Sequence, residues 1–170
     1  PGRLWLGDGA GTLVDSTLAL GSGDALSVAL GDVDLDGDLD LAVATGEPYY
    51  DPPDFERVYL NRGGTFSATP DWQSATRTHS MDVGWCDVDG DGDLDLAFAG
   101  AAGPNKVYFN QGGTLQAAAG WSSTDNGGRH NSNSLAFGDV DGDGAPDLAI
   151  SDNSQLTGGR GTFRVYRNTD

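Results

Sequence analysis

The sequence predicts an all-β chain built from repeated small antiparallel sheets, on three observations. An acidic nine-residue motif occurs three times at intervals near fifty residues. Between its copies a short aliphatic–aromatic segment recurs. The 27 glycines, with no stretch of helical periodicity, favour turns and short strands over helices.

The acidic motif reads Asp32-Val-Asp-Leu-Asp-Gly-Asp-Leu-Asp40, then Asp87-Val-Asp-Gly-Asp-Gly-Asp-Leu-Asp95, then Asp139-Val-Asp-Gly-Asp-Gly-Ala-Pro-Asp147. Its starts lie 55 and 52 residues apart. The second element appears as LWLGDGAGTL (4–13), VYLNRGGTF (58–66), VYFNQGGTL (107–115) and VYRN (165–168). Periods of this length with β-like segments indicate a propeller or a related β-repeat array. The approximate units are 4–57, 58–106 and 107–164, and 165–170 begins a further blade.

Strands are legible inside each unit. Before the acidic loop, Val28, Val83 and Leu135, with Leu30, Trp85 and Phe137, form one bulky face. Ser27, Asp82 and Ser134, with Ala29, Gly84 and Ala136, form a small face. After the loop, Leu41 and Val43 alternate with Ala42 and Ala44, and Leu96 and Phe98 with Ala97 and Ala99. A small face on each sheet suits close stacking of the next. The VYLN segment is a third strand ending in an Asn-x-Gly-Gly hairpin turn, so each unit reads as a four-stranded blade.

Carboxylates at alternate positions, interrupted by glycine, are what a hard cation needs. Calcium takes six to eight oxygen ligands, and a tight loop turns positions 1, 3 and 5 toward one centre. The expected side-chain ligands are Asp32, Asp34, Asp36 and Asp40; Asp87, Asp89, Asp91 and Asp95; and Asp139, Asp141, Asp143 and Asp147. Position 7 is Asp38, Asp93 or Ala145, so only its backbone carbonyl is expected to ligate. These loops hold 14 of the 26 acidic residues. Three bound Ca²⁺ ions, one per loop, would lower the formal charge from −17 to about −11. An EF-hand is excluded, because position 12 is Val43, Phe98 or Ile150 rather than the required Glu.

On these motifs the chain resembles the FG-GAP/VCBS repeat family, the calcium-binding blades of integrin-α-type β-propellers. The third unit spells the name, with Phe137-Gly138 before the acidic loop and Gly144-Ala145-Pro146 within it. The first and second units depart from it at Leu30-Gly31 and Trp85-Cys86. The resemblance implies a propeller usually of about seven blades, calcium in each loop, a secreted or cell-surface setting, and a role in adhesion or ligand binding. About three blades are incomplete as a ring, since propellers typically need four to eight. The partners expected are neighbouring blades or copies of the same chain. Two chains would give a six-bladed ring, and unclosed head-to-tail contacts an open filament.

The remaining residues point away from catalysis. His79 falls at a polar repeat position and His130 reads as a loop residue, neither with a nucleophile and orienting acid nearby in sequence, so no enzymatic activity is expected. Trp5, Trp72, Trp85 and Trp121 all fall at repeat positions and are expected to pack between blades. Cys86, the single cysteine, excludes an intrachain disulfide and reads as a packing residue. The off-repeat segment 46–55 carries Tyr49, Tyr50 and Phe55 and is the candidate ligand loop. It supports an alternative reading: a carbohydrate-binding or targeting module of a larger secreted protein or enzyme, with a glycan or surface protein as partner.

Charge sets the outer limits. Nine basic against 26 acidic residues argue against nucleic acid as a partner. No run of 18 apolar residues suggests membrane insertion. A chain that starts at Pro1 reads as a processed or excised piece, from which any export signal would already be gone.

Overall fold

Alternating bulky and small residues pair into three successive blades with equivalent register beside each acidic loop, and Asn131↔Ala101 pairing joins the second and third blades into one seven-stranded sheet. The computed structural model describes residues 2–21, 25–46, 51–125, 130–153 and 161–169. The first blade is β3 (Ala25–Gly31), β4 (Asp40–Thr45), β5 (Arg57–Tyr59) and β6 (Trp72–Gln73), antiparallel in that order. The second is β7 (Ser80–Cys86), β8 (Asp95–Gly103), β9 (Lys106–Tyr108) and β10 (Trp121–Ser122). The third has β11 (His130–Gly138), β12 (Asp147–Asp152) and β13 (Thr162–Tyr166). A separate hairpin of β1 (Gly2–Gly7) and β2 (Leu13–Leu20) precedes them. Equivalent pairs flank each acidic loop: Gly31 with Asp40, Cys86 with Asp95, and Gly138 with Asp147. The sequence units begin inside the third strands, at 58 in β5, 107 in β9 and 165 in β13, whereas each sheet in space begins at the strand before the acidic loop.

Blades stack as the two faces require. Val83, Leu96, Phe98 and Tyr108 on the bulky face of the second blade bury against Val33, Ala42, Ala44 and Val58 of the first. Leu148 and Ile150 of the third pack in the same way on Ala97, Ala99 and Val107 of the second. The fit leaves no room for larger residues on the small face. A Cβ on Gly31 would lie 2.7 Å from the Trp85 ring, and one on Gly84 would lie 2.7 Å from Leu135 Cδ1. Burying this apolar surface is the main stabilising term of such an array.

Polar contacts tie the innermost strands together. The Asp82 carboxylate on β7 accepts from Ser27 Oγ on β3 at 2.6 Å, and from Ser134 Oγ (3.0 Å) and Leu135 N (2.9 Å) on β11. One side chain thus joins three blades.

The tryptophans divide. Trp72 meets Tyr108 edge-on at 5.2 Å, Trp121 meets Tyr166 at 5.1 Å, and Trp85 packs on the core between the first two blades. Trp5 does not pack between blades as expected; it is 54% exposed. Its hairpin supplies only two strands, and no described strand covers that face. His130, expected in a loop, opens β11. Cys86 is half-buried and free, and burial, with Asp87 and Asp95 nearby, pushes its thiol pKa up. No helix among the described residues is long and apolar enough to cross a membrane. The architecture is that of a partial β-propeller.

Candidate metal centres

Each acidic loop joins the first and second strands of a blade, and its backbone curls around the carboxylates. Position 6 is a glycine at positive φ in every copy: Gly37 (93°), Gly92 (95°) and Gly144 (96°). The turn they make lets the position 1 carboxylate accept the glycine N–H at 3.0 Å in all three loops, from Asp32, Asp87 and Asp139. Position 5 accepts from the N–H two residues on at 2.9 Å, through Asp36, Asp91 and Asp143.

Position 4 also lies at positive φ. It is Gly90 (73°) and Gly142 (82°) in two loops but Leu35 (64°) in the first. A branched L-residue there carries strain that glycine does not. Leu35 is 56% exposed and loses little burial on removal. Leu35→Gly is therefore expected to stabilise by about 0.5–1 kcal/mol, after the larger unfolded-state entropy of glycine is deducted. Thermal melting checks this, and a lower melting temperature would reject the strain argument.

The carboxylates converge in triads whose oxygens lie within 4.8 Å of one another. These are Asp32, Asp34 and Asp36; Asp87, Asp89 and Asp95; and Asp139, Asp141 and Asp147. Asp40, Asp91 and Asp143 fall outside them. Two oxygens at these sites, Asp34 Oδ1 and Asp87 Oδ1, are buried without a hydrogen-bond partner. A buried carboxylate oxygen left unpaired is costly, so the residues fit a bound cation. The all-carboxylate donor set suits a hard metal ion. Burial and the Asp91 charge push the Asp89 carboxyl above its ordinary range. In the third loop Arg167 reaches Asp141 as an ion pair.

Positions 7 and 9 do more than the sequence suggested. Asp40, Asp95 and Asp147 at position 9 are at most 1% exposed. One oxygen of each accepts the N–H of position 2, Val33, Val88 or Val140, at 2.9 Å. The other accepts the backbone N–H of Asn61, Asn110 or Asn168 at 2.7–2.8 Å. Burial pushes the carboxyls of Asp40 and Asp95 up despite these bonds. At position 7, Asp38 caps Gly63 N at 2.6 Å and Asp93 caps Gly112 N, a bond that Ala145 cannot make.

The asparagines are the residues that spacing did not reveal. Asn110 Nδ2 donates to Val33 O of the preceding blade at 2.8 Å, and Asn168 Nδ2 to Val88 O at 2.6 Å. In the second and third blades the turn after the third strand thereby clamps the acidic loop of the blade before it. Their signal was the Asn repeated in VYLN, VYFN and VYRN, which reads as a turn residue. Asn61 does serve the turn, accepting Gly64 N at 2.7 Å. Of the candidate ligand loop, Tyr49 and Tyr50 lie outside the described residues, and Phe55 is half-buried beneath the Arg77 guanidinium at 4.8 Å.

Comparison with known proteins agrees with this geometry. No curated protein matches the chain. The sequence profile of the FG-GAP-like repeat matches at residues 53–98 and 87–150, spans that contain the second and third acidic loops and the sheets around them. Repeats of this kind are typically structural or binding modules. The chain belongs to the FG-GAP-like repeat family.

Proposed function

We propose that this chain is a non-enzymatic, extracellular, calcium-binding repeat module that acts in adhesion or structural assembly. Calcium is the ion that the all-oxygen donor sets and their repetition in three loops support best. The observation that carries assembly is an unfinished blade. Hairpin β1–β2 packs Leu4 and Leu18 on Tyr59, Val43 and Phe66 of the first blade, where the two outer strands of a preceding blade would lie. The place of its two inner strands is an apolar groove of about 280 Å³ lined by Leu4, Leu20, Val28, Leu30, Leu41 and Tyr59. Val28 and Leu30 are 59% and 60% exposed, whereas Val83, the equivalent of Val28, is 6% exposed beneath its neighbouring blade.

Among the described residues β1 pairs only with β2, and its other edge, beside this groove, offers backbone groups to a strand from another blade. The small face of the third blade is likewise open, with Val140 66% and Val165 42% exposed. Two chains that supply strands to one another would close a ring, and unclosed contacts would extend into a filament. Sedimentation or light scattering in calcium and in EDTA tests this. Oligomers of the 17.6 kDa chain are expected in calcium, with Val28→Glu and Leu30→Glu shifting them to monomer. A monomer in both conditions would reject self-assembly.

A further inference from the structure

At the end of the sheets opposite the acidic loops, three basic side chains meet around one cavity. A cavity of about 380 Å³ between the first and second blades is lined there by Arg77, His79 and Lys106, with Thr76, Pro53 and Pro104. In a chain of formal charge −17 with nine Lys and Arg residues, that meeting of basic groups is unexpected. Lys106 is the only lysine and is 8% exposed. Its ammonium donates to Thr76 Oγ1 at 3.1 Å and to Tyr108 OH at 3.4 Å, and no carboxylate among the described residues pairs with it. The nearest acid in this network, Glu56, is occupied by hydroxyls: Thr78 (3.0 Å), Ser80 (2.7 Å) and Tyr108 (2.5 Å). Burial, then the Glu56 charge, pushes the Tyr108 phenol up, so it remains a neutral donor to Glu56.

A buried ammonium whose partners are neutral oxygens is stabilised by an anion brought into the cavity beside it. At the cavity the Arg77 guanidinium sits over the Phe55 ring, 4.8 Å from its centroid, a cation–π contact that anchors it there. Ala102, another lining residue, has φ 59°, a left-handed conformation rare outside glycine. His79 Nε2 lies 3.2 Å from Asp51 O, which fixes its ring in the wall.

From this geometry we propose that the cavity binds a small organic carboxylate, its acid group between the Lys106 ammonium and the Arg77 guanidinium. A planar monoanion suits one buried point charge and one guanidinium fork. The −17 field disfavours a dianion such as sulfate. Pro53, Pro104 and Ala101 provide the apolar walls for the body of the ligand. This site is independent of the calcium loops and of assembly, so its failure leaves the proposed function untouched.

Titration of the calcium-loaded protein with galacturonate, propionate, galactose and sulfate, followed by backbone amide NMR, tests it. Saturable shifts confined to residues 76–79 and 101–106 are expected for the two carboxylates at about millimolar concentration. Galactose is expected to give none. Galacturonate above propionate identifies an acid sugar as the source, and equal binding identifies simple organic acids. Lys106→Met and Arg77→Ala should each weaken binding by about tenfold or more, and Lys106→Met should melt no lower than the parent because it removes a buried charge. Sulfate binding more tightly than either carboxylate, equal binding of galactose, or unchanged affinity in both variants would overturn the proposal. So would the absence of any saturable shift.

Discussion

Removing calcium should lower the melting temperature by roughly 15–30 °C. Extracellular modules bind calcium at ~10⁻⁴–10⁻³ M. At a hundredfold excess each site adds about 2.7 kcal/mol, so three loops add about 8 kcal/mol. Domains are stable by only about 5–15 kcal/mol in total. In a chain of this size each kcal/mol is worth about 2–4 °C, which gives the range. The contributions should not be independent. A Cβ on Gly113 in the second blade would lie 3.1 Å from Asp34 O of the first loop, and Asn110 holds Val33 O of that same loop. Calorimetry in calcium, magnesium and EDTA provides the test, and equal melting in calcium and EDTA would remove the structural role of the ion.

The ion-free protein should also show an inverted pH response. Burial raises the carboxyls of Asp40, Asp89 and Asp95 above their unfolded value. A raised group contributes stability that is fully present below the unfolded pKa and is lost as pH rises through the folded pKa. In EDTA, these three groups therefore favour the folded state more as pH falls from 7 toward the carboxylate range. In calcium the same acidification should destabilise, since protons compete with the ion.

The sequence carried the repeat and the blade faces well because both are local. Alternation within Val28–Leu30 or Leu96–Phe98 needs only the two-residue period of a strand, and Gly37, Gly92 and Gly144 announce the loop by their conformational demand. Contacts between blades were not legible. Asp82 reaches partners 55 residues before it and 52 and 53 residues after it, and its place on the small face in register with Ser27 and Ser134 did not name them as its partners. Trp5 shares its repeat position with Tyr59 and Tyr108, yet it is exposed where they are buried, because burial is decided by the neighbouring blade and not by the residue. For the acidic loops, spacing identified the carboxylates but could not divide their labour. Positions 1 and 3 enter a triad in every copy, whereas position 5 enters only as Asp36.

That division sets the largest single-residue effect, which is expected at Asp95. Its two oxygens hold Val88 N at 2.9 Å and Asn110 N at 2.8 Å, and Asn110 is fully buried while it grips the loop of the preceding blade. Asp95→Ala orphans both donors at about 1–3 kcal/mol each, so a loss of about 3–5 kcal/mol is expected in calcium, where a ligand is lost too. In EDTA the cost should shrink to about 2–3 kcal/mol, because the variant also removes a desolvated charge that burial penalises. Asp147 makes the same two bonds. Its loop, however, lies on the open face, where Val140 is 66% exposed while Val88, its equivalent beside Asp95, is half-buried, and water can satisfy what the substitution frees. Asp147→Ala should therefore cost less than Asp95→Ala under both conditions, and it stays measurable if Asp95→Ala does not fold. Denaturant unfolding of both variants, with and without calcium, separates two roles for position 9. A penalty that vanishes in EDTA would make Asp95 a metal ligand alone, whereas a penalty that persists makes it the staple between the acidic loop and the third strand of its blade.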